Sequence, residues 1–532
     1  MKKVLMIGLD GATFSLLKPL INQGYMPFLG EILKEGYHAE LISTPVPLTP
    51  PGWISTVTGV KPETHGIYDF LRPEVTNNGV YLKVNDSRDI KNNTVWTIAS
   101  RQGKKITSMN FYGMSPPVEL DGYLISGFIP WKHLRSATTP ESLFDEIKVS
   151  KDIDIKKLGM DISEEKKCIQ GLPESEYEEW IEMQAVRDEN WTKLMKYLMR
   201  KDPTDLTAIV YDGTDKIQHL FWRYLDPELE QKTVTNEWAK SIREKCLNYY
   251  KQIDISIRDL VKESGGETNL VITSDHGFGP TDEVVYINEW LHRQGYLKWA
   301  NDTEEEDNTK LTADRIKDHS SMIDWKNTMA YVLTPSSNAI YINRKSEVNE
   351  NGISVEDYPG FCKKIQEELL AYSCEIDGGK IFVKADLNEK RMNKEEDLNC
   401  APDITLGLRD SGFVSILRSA EVVRKREVID GTHRPNGIFI GYGPMFNKGT
   451  GKELSIYDIT PILLYGLGAS IPTGLDGEVP KHIINSEYLK ENPVTVSDKL
   501  NTERKESENK KEISEEEKEA LMAQLKMLGY MD

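Results

Sequence analysis

Asp215 and His219 stand four residues apart in "DGTDKIQHLFW", a spacing that puts a carboxylate and an imidazole on one face of a helix. Such a pair can grip one cation, and both groups suit zinc or manganese. It can equally be an ordinary helical ion pair. Asp275 and His276 are consecutive in "NLVITSDHGFGP", where a β-branched strand runs into a turn that can bend both side chains toward one ion. Asp10 closes the apolar run of "MKKVLMIGLD", and His433 precedes another in "DGTHRPNGIFIGYGP". Taken singly, these read as a turn aspartate and a solvated histidine. Yet the chain has only nine histidines, and three of them, His219, His276 and His433, fall at predicted strand edges beside Asp or Gly. The coincidence points to a metal centre.

Thr49 poses a separate question in "PLTPPGWISTVTGVKPETHGIYDF". A threonine ahead of two prolines at a helix start is a common N-cap, because its oxygen satisfies orphan amide donors and proline fits the first turn. The same position holds a hydroxyl at the positive end of a helix, where an anion would sit. The residues alone leave both readings open.

These groups must be positioned by a scaffold, and the chain alternates short β-rich runs with longer helical ones. That alternation predicts an α/β fold with a mostly parallel central sheet flanked by helices and carrying inserted cap segments. The strands are expected at "KVLMIGL", "YLISGF", "LTAIVY", "NLVITS" and "GIFIGY". Ligands of open α/β sheets collect outside the carboxyl ends of strands, so the residues after these runs matter most. We read the core in three parts: 1–131 with Thr49, 202–280 with the metal motifs, and 402–490. Between them lie a charged helical insertion at 132–201 and a polar cap insertion at 281–401, which could cover the site or merely decorate the surface. A linker and a last helix occupy 491–532. There Ser514 and Glu517 form a capping box, Leu521, Leu525 and Leu528 share a face, and Gly529 ends the helix. This helix is expected to dock on its own domain or on a second copy, giving a homo-oligomer.

Composition narrows the partners. The chain has 532 residues and a net charge of -19, which argues against a nucleic-acid polymer or an anionic membrane surface as main partner. The opening apolar run is too short for a signal peptide and ends at an acid, and no stretch reaches the length of a membrane span. Five cysteines without CxxC spacing suggest a reduced, cytoplasmic protein whose thiols bind no metal.

Taken in order, "GLDGA", "STPVPLTPPGWISTVTGVKPETHGIYDF", "DGTDKIQHLFW", "SDHGFGP", "SNAIYIN", "APDI" and "GTHRPNGIFIGYGP" resemble the alkaline phosphatase superfamily. The similarity is to its type I phosphodiesterase/nucleotide pyrophosphatase branch, with the phosphohydrolase or phosphomutase-like bacterial and archaeal group nearest. The resemblance implies a two-metal site, with one ion on Asp10, Asp275, His276 and Thr49, and the other on Asp215, His219 and His433. It also implies zinc as the usual occupant, with manganese the alternative, and Thr49 as the nucleophile that forms a phospho-threonine. The substrate is then a small phosphorylated molecule cleaved at a phosphodiester or pyrophosphate bond. A phosphomonoesterase or phosphomutase with the same metals is a second reading, kept open by Arg434 beside His433, with Arg72 the other arginine near a motif. A non-catalytic metal-binding scaffold is a third. Sulfatase chemistry is disfavoured, since "TPPGW" has neither the convertible Cys or Ser nor the arginine. Nucleotide pyrophosphatases carry an asparagine three residues after the nucleophile; here that position is Gly52. Gly52, through its backbone amide, and Trp53 and Tyr68, through their rings, are the further candidates for touching substrate.

Overall fold

The computed structural model describes residues 2–76, 79–161, 164–165, 172–300, 322–335, 338–345, 351–392 and 401–498. The capping box expected at Ser514 and Glu517, the acidic stretch 301–308, Cys168 and Cys400 lie outside the described residues.

The central sheet is ordered Gly449–Thr450, Tyr37–Ile42, Asn436–Tyr442, Asn269–Thr273, Val4–Leu9, Leu206–Tyr211, Ile106–Phe111, Gly122–Ser126 and Thr138–Thr139, and Leu454–Ser455 also pairs with Tyr37–Ile42. From Asn269–Thr273 to Gly122–Ser126 every pairing is parallel. All five expected strands are present, but Asn436–Tyr442 runs antiparallel to both neighbours. Two strands escape the sequence pattern. In Tyr37–Ile42 the burial alternates, because only one of its faces is well covered, and Ile106–Phe111 hides Thr107, Ser108 and Asn110 among its apolar residues.

The central strands are buried on both faces, which is why they read as continuous apolar runs. Their side chains nevertheless sort by the two-residue period. Leu5, Ile7, Leu9, Ile209 and Ile272 face a layer containing helices Phe14–Asn22, Pro27–Glu35, Tyr177–Lys201, Gly213–Leu225 and Glu237–Ser264. Val4, Met6, Ala208, Val210 and Val271 face the other layer, with helices Thr49–Thr58, Val95–Ser100 and Ile459–Gly466. Truncating one such residue, Ile7→Ala for instance, should destabilise by about 2–5 kcal/mol.

Helix Tyr177–Lys201, within the stretch expected to be a charged insertion, buries Trp180, Trp191, Leu194, Met195 and Leu198 in the first layer. Most of its charges lie on the outer face, but Arg187 and Asp188 are buried. The described residues of 281–401, together with Ile404–Leu408 beyond that stretch, build a separate apolar core around a four-stranded sheet, Ala330–Tyr331, Ala339–Ile342, Ile404–Leu408 and Phe382–Leu387, with helices Ile287–Arg293 and Tyr358–Ala371. A ribbon of Gly277–Tyr286 paired antiparallel with Val423–Arg434 joins this smaller body to the main sheet. No helix among the described residues is long and apolar enough to cross a membrane.

Candidate metal centre at the carboxyl edge of the sheet

Strand register brings the site together. Leu9 lies opposite Tyr211 and Gly8 opposite Thr273, so three adjacent strands end level. The chain then turns, placing Asp10 past the first strand, Asp215 in the first turn of helix Gly213–Leu225, and Asp275 and His276 between Asn269–Thr273 and Gly277–Tyr286. The amide of Asp10 donates to Tyr211 O at 3.0 Å, and the Thr214 hydroxyl donates to Asp10 O at 2.6 Å, which pin the first turn to the second. His433 arrives on the ribbon, opposite Phe278.

The side chains converge. Asp10 Oδ1 and Asp275 Oδ2 lie 3.6 and 3.3 Å from His276 Nε2. Asp215 Oδ1 lies 3.5 Å from His219 Nε2 and 3.2 Å from His433 Nε2, and the two imidazole nitrogens are 2.9 Å apart. His276 links the two sets: its ring stacks on His433 at 3.8 Å between centroids, and its Nε2 is 4.0 Å from Asp215 Oδ1. Asp215, His276 and His433 could therefore also share an ion, as could Asp10, Asp275 and His276, each trio having its ligand atoms within 4.8 Å of one another. Four ligands about 2.0 Å from a tetrahedral cation stand about 3.3 Å apart, and these separations match.

Outer contacts decide which atom of each group faces inward. His276 Nδ1 bonds Gly277 O at 3.1 Å, and His433 Nδ1 bonds Pro47 O at 2.9 Å. A ring nitrogen facing a carbonyl carries the proton, which leaves both Nε2 atoms as lone pairs. Asp275 Oδ1 accepts from the Gly11 amide at 3.2 Å, and Asp10 Oδ2 accepts from Trp53 Nε1 at 3.1 Å. Their other oxygens, Asp275 Oδ2 and Asp10 Oδ1, are buried and accept no hydrogen bond, and the same holds for Asp215 Oδ1. Such orphaned acceptors are rare in native interiors and each needs an occupant.

Charge supports the same conclusion. Burial, reinforced by Asp275 and Asp215, pushes Asp10 well above the usual carboxylate range, and burial raises Asp275 to about 7. Burial drives His276 well below its ordinary range and His219 down to about 4. Asp215 is the exception, since His219 and His433 outweigh its burial and hold it low. Neutral imidazoles and mutually repelling carboxylates form an arrangement that only added positive charge stabilises. The donor set fits divalent cations.

Thr49 does not cap its helix. Leu48 is the N-cap of Thr49–Thr58 and makes no side-chain cap bond. The Thr49 hydroxyl instead lies 3.4 Å from His276 Nε2. The amide supply expected from this helix start is also smaller than anticipated. Pro50 and Pro51 have no N–H, and the Gly52 amide donates to Leu48 O at 2.9 Å, which leaves the amide of Thr49 itself.

The sequence profile described as "Type I phosphodiesterase / nucleotide pyrophosphatase" matches residues 4–435. The chain belongs to that family. It is a phosphohydrolase of the alkaline phosphatase superfamily, whose members depend on divalent metal. Solved structures share its fold. Murine ectonucleotide pyrophosphatase/phosphodiesterase 5 is 13% identical with a TM-score of 0.51, covering 91% of this chain and 100% of its own. An inactive threonine-to-alanine variant of that enzyme, in complex with AMP, gives a TM-score of 0.50 at 13% identity with the same coverage. Phosphonoacetate hydrolase from Sinorhizobium meliloti 1021, in complex with phosphonoformate, is 14% identical with a TM-score of 0.52, covering 88% of this chain and 95% of its own. A comparison with curated proteins gave no match.

The four residues considered for substrate contact in this phosphohydrolase fare differently. Trp53 is only 1% exposed, so it cannot stack on a substrate; its indole is committed to Asp10. Gly52 packs on the ligand strand, where an added Cβ would come within 2.9 Å of Asp275 Cβ and 3.0 Å of Asp275 O. Neither a side chain nor its occupied amide can replace the missing asparagine. Arg434 follows His433 on a strand and so points to the opposite face; its guanidinium donates to Pro280 O and, at 3.3 Å, to His433 O. Tyr68 is half-buried, past the short helix Pro62–His65. Sequence reasoning missed the outer contacts made by Gly11 and Pro47. Both use backbone atoms, which no residue type announces.

Proposed function

We propose that this chain is a two-metal phosphoesterase that cleaves a phosphodiester or pyrophosphate bond through a covalent phospho-threonine on Thr49. The observation that carries the reading is the Thr49 hydroxyl, which is buried, makes no cap bond, and lies 3.4 Å from His276 Nε2 beside three orphaned carboxylate oxygens. The inactive threonine-to-alanine variant of the murine neighbour, solved with AMP, supports a threonine as the working group.

Asp10, Asp275, His276 and Thr49 would hold one ion, and Asp215, His219 and His433 the other. Bound there, divalent cations lower the pKa of a hydroxyl and neutralise charge on phosphoryl and leaving oxygens. Imidazole donors favour zinc, with manganese the alternative. The chain's own groups do the rest. The Thr49 oxygen attacks phosphorus in line, forming one P–O bond as the bond to the leaving oxygen breaks; the hydroxyl proton passes to solvent and the leaving oxygen takes one up. Water then attacks the phospho-threonine and releases Thr49 with its proton restored. The Nδ1–H contacts of His276 and His433 keep both rings oriented throughout. Three buried free thiols, Cys246, Cys362 and Cys374, support a reducing, cytoplasmic setting.

The test compares bis-p-nitrophenyl phosphate with p-nitrophenyl phosphate, using wild type and Thr49→Ala, each stripped and reloaded with zinc or manganese. The expected result is metal-dependent diester cleavage that falls by at least about 10³-fold in Thr49→Ala with metal content unchanged. Turnover of the monoester alone would move the assignment to a phosphatase or mutase, and no turnover by a fully metal-loaded enzyme would sink the catalytic reading.

A further inference from the structure

We propose that Trp53 is a positioning residue for the first metal site, its indole N–H holding the outer oxygen of Asp10 so that the inner oxygen faces the cation. The inference rests on the reading of Asp10 as a metal ligand given above.

The two oxygens of Asp10 are already sorted. Oδ2 accepts from Trp53 Nε1 at 3.1 Å, while Oδ1, buried and without a hydrogen bond, points toward His276 Nε2 at 3.6 Å. The indole cannot drift from this position. Trp53 is 1% exposed and meets Phe111 edge-on at 5.6 Å. The ring passes directly over Gly8, where an added Cβ would sit 2.4 Å from Trp53 Cη2 and 3.0 Å from Cζ3. Gly8 lies two residues before Asp10, near the end of strand Val4–Leu9, so the strand leaves room for the ring that then reaches forward to the carboxylate. An indole N–H only donates. It neither titrates nor competes for the cation, as a histidine in its place would. The other carboxylate of this site, Asp275, is held by the main-chain amide of Gly11, which substitution does not remove. Trp53 is therefore the side chain through which the affinity of this site can be tuned, and outer partners of this kind typically contribute 10–100-fold in metal affinity.

The experiment titrates stripped wild type and Trp53→Phe with zinc against a chromophoric chelator, and follows diester turnover as zinc is raised. Phenylalanine keeps most of the packed ring and removes the N–H. We expect two zinc sites in wild type, with one weakened about 10–100-fold in Trp53→Phe and the other unchanged. The zinc needed for half-maximal turnover should rise to match, while kcat at saturating zinc stays within about threefold. A residue that served packing alone would lower kcat or weaken both sites together. Gly8→Ala, which displaces the ring while keeping the indole N–H, should reproduce the selective loss. Wild-type affinity at both sites in Trp53→Phe overturns this inference and leaves the metal centre standing. A wild type that binds no zinc overturns both.

Discussion

Asp212 and Asp215 lie three residues apart after the same strand, Asp212 buried and Asp215 half-buried with its Oδ1 out of solvent, and the fold gives them opposite surroundings. Asp212 meets two cations, Arg187 and, at 3.0 Å, Lys216, and accepts from Asn110 Nδ2 at 3.1 Å. Glu165 completes the cluster by pairing with Lys216 and with Arg187. These partners outweigh burial and bring Asp212 down to about 2. Asp215 faces only imidazoles, and its Oδ1 accepts no hydrogen bond. The difference separates a carboxylate with a full set of partners from one with an oxygen left open. Completeness of the partner set tells the two apart more sharply than burial does.

The largest effects should come from exchanging the two fates. Asp212→Asn leaves the buried cations Arg187 and Lys216 to share the single carboxylate of Glu165, and we expect a loss of about 3–5 kcal/mol in stability, read from urea unfolding of stripped protein. Asp215→Asn removes a carboxylate that the imidazoles of His219 and His433 hold low in the metal-free protein. It should cost the stripped protein less than Asp212→Asn does and lower diester turnover on the order of 10³-fold. Were Asp215→Asn to unfold the stripped protein while Asp212→Asn did not, the contrast would be wrong.

Metal addition sharpens the same contrast. A site held at a thousandfold excess over its Kd stabilises the protein by about 4 kcal/mol. Thermal unfolding with zinc and with chelator should show that gain for both sites in wild type and for one fewer in Asp215→Asn. Asp212→Asn should keep the full increment on its lower baseline; losing it would mean that the Arg187 cluster is part of the metal site.

Asp188 stands between the two cases. Tyr249 donates to its Oδ2 at 2.7 Å while its Oδ1 is orphaned, and burial, aided by Asp212, raises it to about 7. A carboxyl raised above its unfolded value near 3.9 contributes stability that is complete below that pH and is lost as pH climbs through the folded value. Between about pH 4 and pH 7, therefore, wild type should lose stability relative to Asp188→Asn, whose amide oxygen still accepts from Tyr249. The check is a set of urea midpoints in chelator across that range. Parallel profiles for the two proteins would show that Asp188 is ionised throughout.

How much of this was readable beforehand follows from which atoms do the work. The candidate ligands announce themselves because Asp and His at strand ends are residue types with few other uses in that pattern. Strand Ile106–Phe111 does not, since its polar residues interrupt the apolar run, and Asn110 turns out to serve Asp212. Thr49 looked like a helix cap, and only the position of Leu48 removed that option. The outer contacts were beyond reach: Gly11 meets Asp275 across 264 residues of sequence, and Pro47 meets His433 across 386. Trp53 was visible as an aromatic near Thr49, but its direction, toward Asp10 and away from solvent, depends on a glycine in another element.

The smallest effect is expected at Arg434, where the contrast recurs between neighbours on one strand. His433 turns toward the cluster, with Nε2 at 3.2 Å from Asp215 Oδ1. Arg434 lies along the back of the ribbon, its Nε 2.7 Å from where a Cβ on Gly279 would be, and donates to backbone carbonyls. A guanidinium so engaged does not grip a dianionic phosphate. Arg434→Gln should then cost about 1 kcal/mol of stability and change the KM for p-nitrophenyl phosphate by less than about threefold, since no binding energy for the monoester is removed. A tenfold rise in that KM, with the diester unaffected, would place the guanidinium on substrate and restore the phosphatase or mutase reading, because the side chain would have to leave Pro280 to reach it.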